Sequence, residues 1–143
     1  EIGIVGEEHH GTIRSPFPGG FENDSLDAFL SCDRTEYQND IFNFTQNLLE
    51  LRITHKSLSE GKLTHFYPFN NLYVYFKETE NEKTMIVING SDIDSEVDLN
   101  NYKETLGSTK KIKNVKSNAE FDLSTNKKIN IKKKSAEIFL LEK

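Results

Sequence analysis

The sequence predicts a mainly β protein, an antiparallel β-sandwich or Greek-key barrel preceded by a loop and one α-helix. Three observations carry this. After Gly61, short strand-like segments alternate with polar turns; between Thr35 and Lys56, apolar residues recur at the helical period; before Asp33, glycine and proline interrupt every period. With 143 residues the chain can hold one domain with its own core, and it is too short for two large ones.

The opening region, Glu1 to about Asp33, reads as loop: Gly3, Gly6, Gly11, Pro16, Pro18, Gly19 and Gly20 prevent any regular element. It contains the stretch "GEEHHGTIRSPFPGGFEND", residues 6–24. A helix follows over "RTEYQNDIFNFTQNLLELRITHK". Thr35 is placed as N-cap, with Gln38 at capping-box spacing. Glu36 and Asp40 lie near the start, and Arg52, His55 and Lys56 near the end, as the helix dipole favours. Tyr37, Ile41, Phe44, Leu48 and Leu51 form one apolar stripe, and Phe42, Leu49 and Ile53 a second beside it. So wide an arc calls for neighbours on more than one side.

The strands come next. "KLTHFY" and "NLYVYFK" are separated by Pro68, Asn70 and Asn71, and "KTMIVING" follows the polar tip "ETENE". In "NLYVYFK", Leu72, Val74 and Phe76 share one face, and Tyr73, Tyr75 and Lys77 the other. "SEVDL", a helical turn at "NNYKETL", then "KKIKNVKS", "AEFDLS", "KKINIKKK" and "SAEIFLLEK" complete the set.

Composition removes several classes of function. A net charge of -5 argues against a general nucleic-acid binder, because phosphate recognition needs a basic face. No apolar run approaches the roughly 20 residues that span a bilayer, so no membrane partner is expected. The single cysteine, Cys32, cannot form an intrachain disulfide. The chain opens on Glu1 rather than methionine, so we expect further sequence upstream.

Several segments, in this order and spacing, bring a family into view. "GKLTHFYPFNNLYVYFKE", "KTMIVINGSD", "VDLNNYKETL" and "INIKKKSAEIFLLEK" resemble the C-terminal β-sandwich domain of the α-amylase family of glycoside hydrolases, in particular the cyclomaltodextrinase and neopullulanase group. "EIGIVG" is similar to the end of the last barrel strand of these enzymes, "HGTIRSPFPGGF" to their "IRxDFPGGW" loop, and "RTEYQNDIFNFTQNLLELRITHKSL" to the last barrel helix. The resemblance implies a Greek-key β-sandwich over residues 60–143, preceded over residues 1–59 by the last loop and helix of a (β/α)8 barrel. It also implies that the parent hydrolyses α-glucosidic bonds with carboxylates that face the scissile bond from opposite sides, all lying upstream of Glu1. This chain is then expected to hold no catalytic residue, to need no cofactor, and to stabilise the barrel through the helix Thr35–Lys56. The partners implied are the upstream barrel and, for the parent, an α-glucan or maltooligosaccharide. Enzymes of this group are often periplasmic, so the resemblance allows a periplasmic or secreted bacterial parent, while the sequence itself leaves the compartment open.

Site candidates are few. Arg14 falls where the resemblance implies an arginine near the sugar cleft, and a guanidinium suits hydroxyl and carboxylate partners; the plainer role is to tie the loop to a neighbouring carboxylate. Ser15 and Pro16 depart from the basic and acidic residues of the family loop. His9 and His10, beside Glu7 and Glu8, lack zinc-site spacing and read as a solvated loop, so no metal is expected. Phe17 and Phe21 are expected to pin the "PGG" turn. Tyr73 and Tyr75 are expected to cover a domain boundary or the edge of the second sheet. Lys127, Lys128, Lys132, Lys133 and Lys134 are read as guards of an exposed strand, and Asp24, Asp27 and Asp33 as turn and cap formers. The helix stripe is expected to stay exposed, or to be covered by self-association. A free-standing carbohydrate-binding or interaction sandwich is the alternative reading, although it leaves the wide apolar arc of the helix without a purpose.

Overall fold

In the computed structural model, residues 2–3 and 16–142 are described. Contacts divide the chain into two compact units, Glu1–Leu51 and Arg52–Lys143.

In the first unit the proline-glycine turn is closed by backbone geometry. Gly19 has φ +101°, and a Cβ there would lie 2.3 Å from Asp27 Oδ1, so no other residue fits the turn. Ala28 N donates to Pro18 O at 3.0 Å, and the Phe17 and Phe29 rings meet at 4.9 Å. A 3-10 turn, Ser31–Asp33, leads to α1, Glu36–Thr54. The capping box forms as the sequence predicts: Gln38 N donates to Thr35 Oγ1 (3.2 Å), and Thr35 N to Gln38 Oε1 (2.9 Å). Arg34 is buried just ahead of the helix, donating to Ala28 O (3.0 Å) and Asn39 Oδ1 (2.8 Å), with its guanidinium 3.7 Å from the Phe42 ring centre. Gly3, at φ +65°, brings the backbone against Tyr37 and Ile41 of α1.

No residue of α1 is buried. Of the predicted stripe, Phe44 and Leu48 are exposed and Ile41 and Leu51 half-buried.

The sequence reading carried α1 through Lys56. Instead the helix stops at Thr54, His55 is extended (φ -104°, ψ 104°), and a separate short helix, α2, runs Lys56–Glu60.

Among its described residues the second unit holds eight strands: β1 Lys62–His65, β2 Leu72–Glu78, β3 Lys83–Asn89, β4 Ser95–Asp98, β5 Lys111–Asn114, β6 Glu120–Asp122, β7 Lys128–Ile131 and β8 Ser135–Glu142. A 3-10 turn, Leu99–Tyr102, and α3, Lys103–Leu106, separate β4 from β5. All pairings are antiparallel. The large sheet has the order β1-β2-β3-β8-β5-β6, and β4 pairs with β7 in a small second sheet. β1 to β3 form a meander, after which the chain changes sheet repeatedly, until β8 inserts between β3 and β5. The fold is thus mainly β, a sandwich of two unequal sheets.

Alternation places the core between them. Val74, Phe76, Met85, Val87, Ile112 and Phe139 of the large sheet face Val97, Leu99, Ile129 and Ile131, joined by Leu106. The β2–β3 register sets Val74 against Val87 and Phe76 against Met85, and the β3–β8 register sets Met85 against Phe139. A one-residue slip would turn every one of these outward. The β1–β2 turn needs two residues at positive φ, and Asn70 (50°) and Asn71 (59°) supply them.

One polar side chain joins the layers. Asn89, 1 % exposed, donates to Ile93 O (2.9 Å), Lys132 O (3.1 Å) and Ile131 O (3.2 Å), and its Oδ1 accepts from Ser91 N (3.0 Å) and Ser91 Oγ (2.6 Å). It ties the end of β3 to the loop before β4 and to the end of β7.

Candidate functional site

Arg14, the one substrate-contact candidate, lies outside the described residues, as do Glu7, Glu8, His9 and His10. The described part of the loop shows what its acids do. Asp24 Oδ2 accepts from Phe21 N (3.1 Å), Asp27 Oδ1 from Phe29 N (3.0 Å), and Asp33 Oδ2 from Asp27 N (2.9 Å). These carboxylates build turns, as their place beside glycine and serine suggests. Phe17 pins the turn through its contact with Phe29, whereas Phe21 is 82 % exposed and pins nothing. Among the described residues no group of three or more His, Cys, Asp or Glu side chains could hold a metal ion. Among them, too, no helix is long and apolar enough to cross a membrane.

On the large sheet, Tyr73 and Tyr75 occupy the face of β2 opposite Val74 and Phe76. They therefore do not cover the edge of the second sheet, because strand alternation sends them to the other side. Their rings lie 5.3 Å apart, and His65 meets Tyr73 at 6.4 Å. Burial, with Tyr73 beside it, pushes the Tyr75 hydroxyl above its ordinary pKa, so it stays protonated and can donate.

The lysine run meets acids on β4 and the loop before it. Lys128 pairs with Glu96 (2.6 Å), Lys132 with Asp94 (2.9 Å) and Lys134 with Asp92 (3.3 Å). Lys133 N also donates to Asp94 Oδ1 (2.9 Å). Beyond guarding an edge, these lysines stitch the two strands of the small sheet and their ends together.

Among the described residues, a cluster of chemically capable side chains sits at the α1–α2 corner. Glu82, at the end of the β2–β3 turn, accepts at Oε1 from Ser57 N (2.9 Å) and Ser57 Oγ (2.6 Å), while His55 Nδ1 lies 3.0 Å from Oε2. Ser57 Oγ is also 3.2 Å from Thr84 Oγ1, and Lys77 Nζ donates to Leu58 O at 2.6 Å. Against an ionised carboxylate, His55 Nδ1 carries the proton. Burial acts to raise the Glu82 carboxyl, but hydrogen bonds from Ser57 and His55 outweigh it and hold the group below its ordinary pKa.

Serine, histidine and glutamate are the residue types of a nucleophilic triad. Their arrangement is not one: serine and imidazole both point at the acid, no bond joins serine to histidine, and Ser57 is fully buried. The cluster holds backbone in place. Sequence reading missed it, because Glu82 stands 25 residues from Ser57 in a tip that looks merely solvated.

The family described as "Cyclo-malto-dextrinase C-terminal domain" matches residues 63–140, from within β1 to within β8. Among solved structures, AmyP in complex with maltose shares the fold at TM-score 0.66 and 19 % identity over 76 % of this chain and 22 % of its own. An α-amylase from Anoxybacillus does so at TM-score 0.62 and 23 % identity, over 86 % of this chain and 26 % of its own. The α-amylase of Geobacillus thermoleovorans, complexed with acarbose, gives 0.62 and 18 %, over 80 % and 25 %. The chain thus spans about a quarter of the length of these proteins.

Proposed function

The chain belongs to the cyclo-malto-dextrinase C-terminal domain family, and we propose that it is the non-catalytic C-terminal part of an α-glucan-hydrolysing glycosidase whose carboxylates lie in a barrel elsewhere in the parent chain. Residues 60–143 are the sandwich domain, and residues 1–59 supply the last loop and helix of that barrel. The observation that carries the reading is the family match over residues 63–140, laid on a sandwich with a complete core of its own. In the described loop, Asp24, Asp27 and Asp33 each accept a backbone N–H in a turn.

The role we assign to the sandwich is to stabilise the barrel, with α1 as the contact element. Its exposed Tyr37, Phe44 and Leu49, on a helix without a buried residue, are an apolar surface of the kind that packs against further protein. In the chain alone the same surface favours self-association. Maltooligosaccharides and cyclodextrins are the substrate class we assign to the parent, and Arg14 is its proposed substrate contact from this chain.

The test is release of reducing ends from a cyclodextrin and from maltoheptaose. The chain alone at high concentration is expected to release none, and the parent with its barrel to release them readily. Turnover by this chain alone would place working carboxylates within it and overturn the reading. Isothermal titration supplies the second arm: tight, saturable binding of maltoheptaose by the chain alone would favour a free-standing carbohydrate-binding module.

A further inference from the structure

We infer that Glu82 is the pin of an acid-sensitive latch: ionised, it fixes the corner between α1 and α2 on the β2–β3 hairpin, and its protonation releases Lys56–Glu60 while the strands stay paired. α2 is five residues long, too short to hold itself as a helix, and its one buried residue is the polar Ser57. Apart from half-buried Leu58, what attaches it is polar. Ser57 N and Oγ meet Glu82 Oε1, His55 Nδ1 meets Oε2, Lys77 Nζ donates to Leu58 O, and Gly61 N closes the helix on Ser57 O at 3.0 Å.

Three donors thus converge on two carboxylate oxygens. An ionised carboxylate is acceptor-only and has lone pairs for all three. Protonation places a hydrogen on one of those oxygens, so it accommodates fewer donors and strips the charge from the bonds that remain. The turn that presents Glu82 is itself fixed: Thr79 N donates to Glu82 O (2.8 Å), and Glu82 N donates to Thr79 Oγ1 (3.1 Å). The backbone that carries the carboxylate is therefore held by bonds that do not depend on its charge.

Other charged groups surround the pin without replacing it. Lys56 and Glu60 of α2 and Glu80 of the turn line the same surface pocket. Arg52, in the last turn of α1, reaches Leu58 O at 3.4 Å; on β2 and β3, Lys77 is engaged with Leu58 O, and Lys83 pairs with Glu78 at 2.9 Å. Because Glu82 is held below its ordinary pKa, the latch is closed above that ordinary value. It opens as pH falls through the lower value of the folded state.

The test is amide hydrogen exchange of Ser57, Leu58 and Gly61 between about pH 6.5 and 3, corrected for intrinsic rates, with β3 and β8 amides as internal reference. Expected is a fall in protection of roughly tenfold or more at the three corner amides, at a pH where β3 and β8 are unchanged. Its midpoint should match the titration of the Glu82 carboxyl carbon followed by NMR. Glu82→Gln, which sets an amide N–H2 among the same donors, should show low corner protection at every pH. Corner amides that stay flat with pH, that lose protection only together with β3 and β8, or that titrate equally in Glu82→Gln would overturn the proposal. Should the variant fail to fold, a mismatch between carboxyl and amide midpoints in the unaltered chain would overturn it as well.

Discussion

Asn89 shows how much a single buried amide can hold. Its Nδ2 serves three carbonyls on two segments, and its Oδ1 receives Ser91. Asn89→Leu removes these bonds without supplying partners, and an unsatisfied buried group costs roughly 1–3 kcal/mol. We expect a loss of about 3 kcal/mol by urea denaturation, with the midpoint falling and the slope unchanged. Phe139, buried between Met85 and Asn114 in register, is a packing case: Phe139→Ala should cost about 3–5 kcal/mol by the same measurement. Among exposed acids, Asp94 is held below the ordinary carboxylate value by Lys132, Asp98 by the Asn100 N–H, and Asp122 by Ser124. Depressed carboxylates stabilise the fold above their unfolded pKa, and that contribution is lost as pH falls through the folded values. Thermal midpoints should therefore fall below about pH 4, and Asp94→Asn should flatten part of that fall.

At the scale of elements, α1 begins where its sequence says and ends where a distant residue says. The capping box is local, three residues apart, and was legible for that reason. Thr35→Ala should cost about 1 kcal/mol, read as reduced helicity and a lower midpoint. The stop at Thr54 was not legible, because the Ser57 N–H is claimed by Glu82 across a turn in another element. Gly61 belongs to the same corner. Its φ of -61° is ordinary, but a Cβ would lie 2.3 Å from Ser57 O and 2.9 Å from Glu78 N, both backbone atoms. Gly61→Ala is expected to destabilise by about 2 kcal/mol or more. The eight strands were legible individually, since period-2 alternation and Asn, Pro and Gly turns are written in consecutive residues. Their distribution into a sheet of six and a sheet of two was not. The lysine run shows the gap. Its guarding role follows from charge on an edge strand, but its pairing with Glu96, Asp94 and Asp92 depends on which strand β7 meets.

For the whole molecule, the exposed apolar residues of α1 make a prediction about solution behaviour. The chain alone should self-associate with rising concentration in sedimentation equilibrium, and Leu49→Glu should shift it toward monomer, because Tyr37, Leu49 and Ile53 present large apolar side chains at the surface of one helix. The sequence by itself determined the mainly β class, each strand segment, the helix with its N-cap, the inward face of β2 and the family, all of which rest on residues near one another in the chain or on their order. Tertiary structure alone decided the partition of strands between sheets, the break after α1, the knot at Asn89 and the cluster at Glu82. Each of these joins groups far apart in sequence, and hydrogen bonding between buried polar groups is specified by where the backbone brings them, not by any period in the residues themselves.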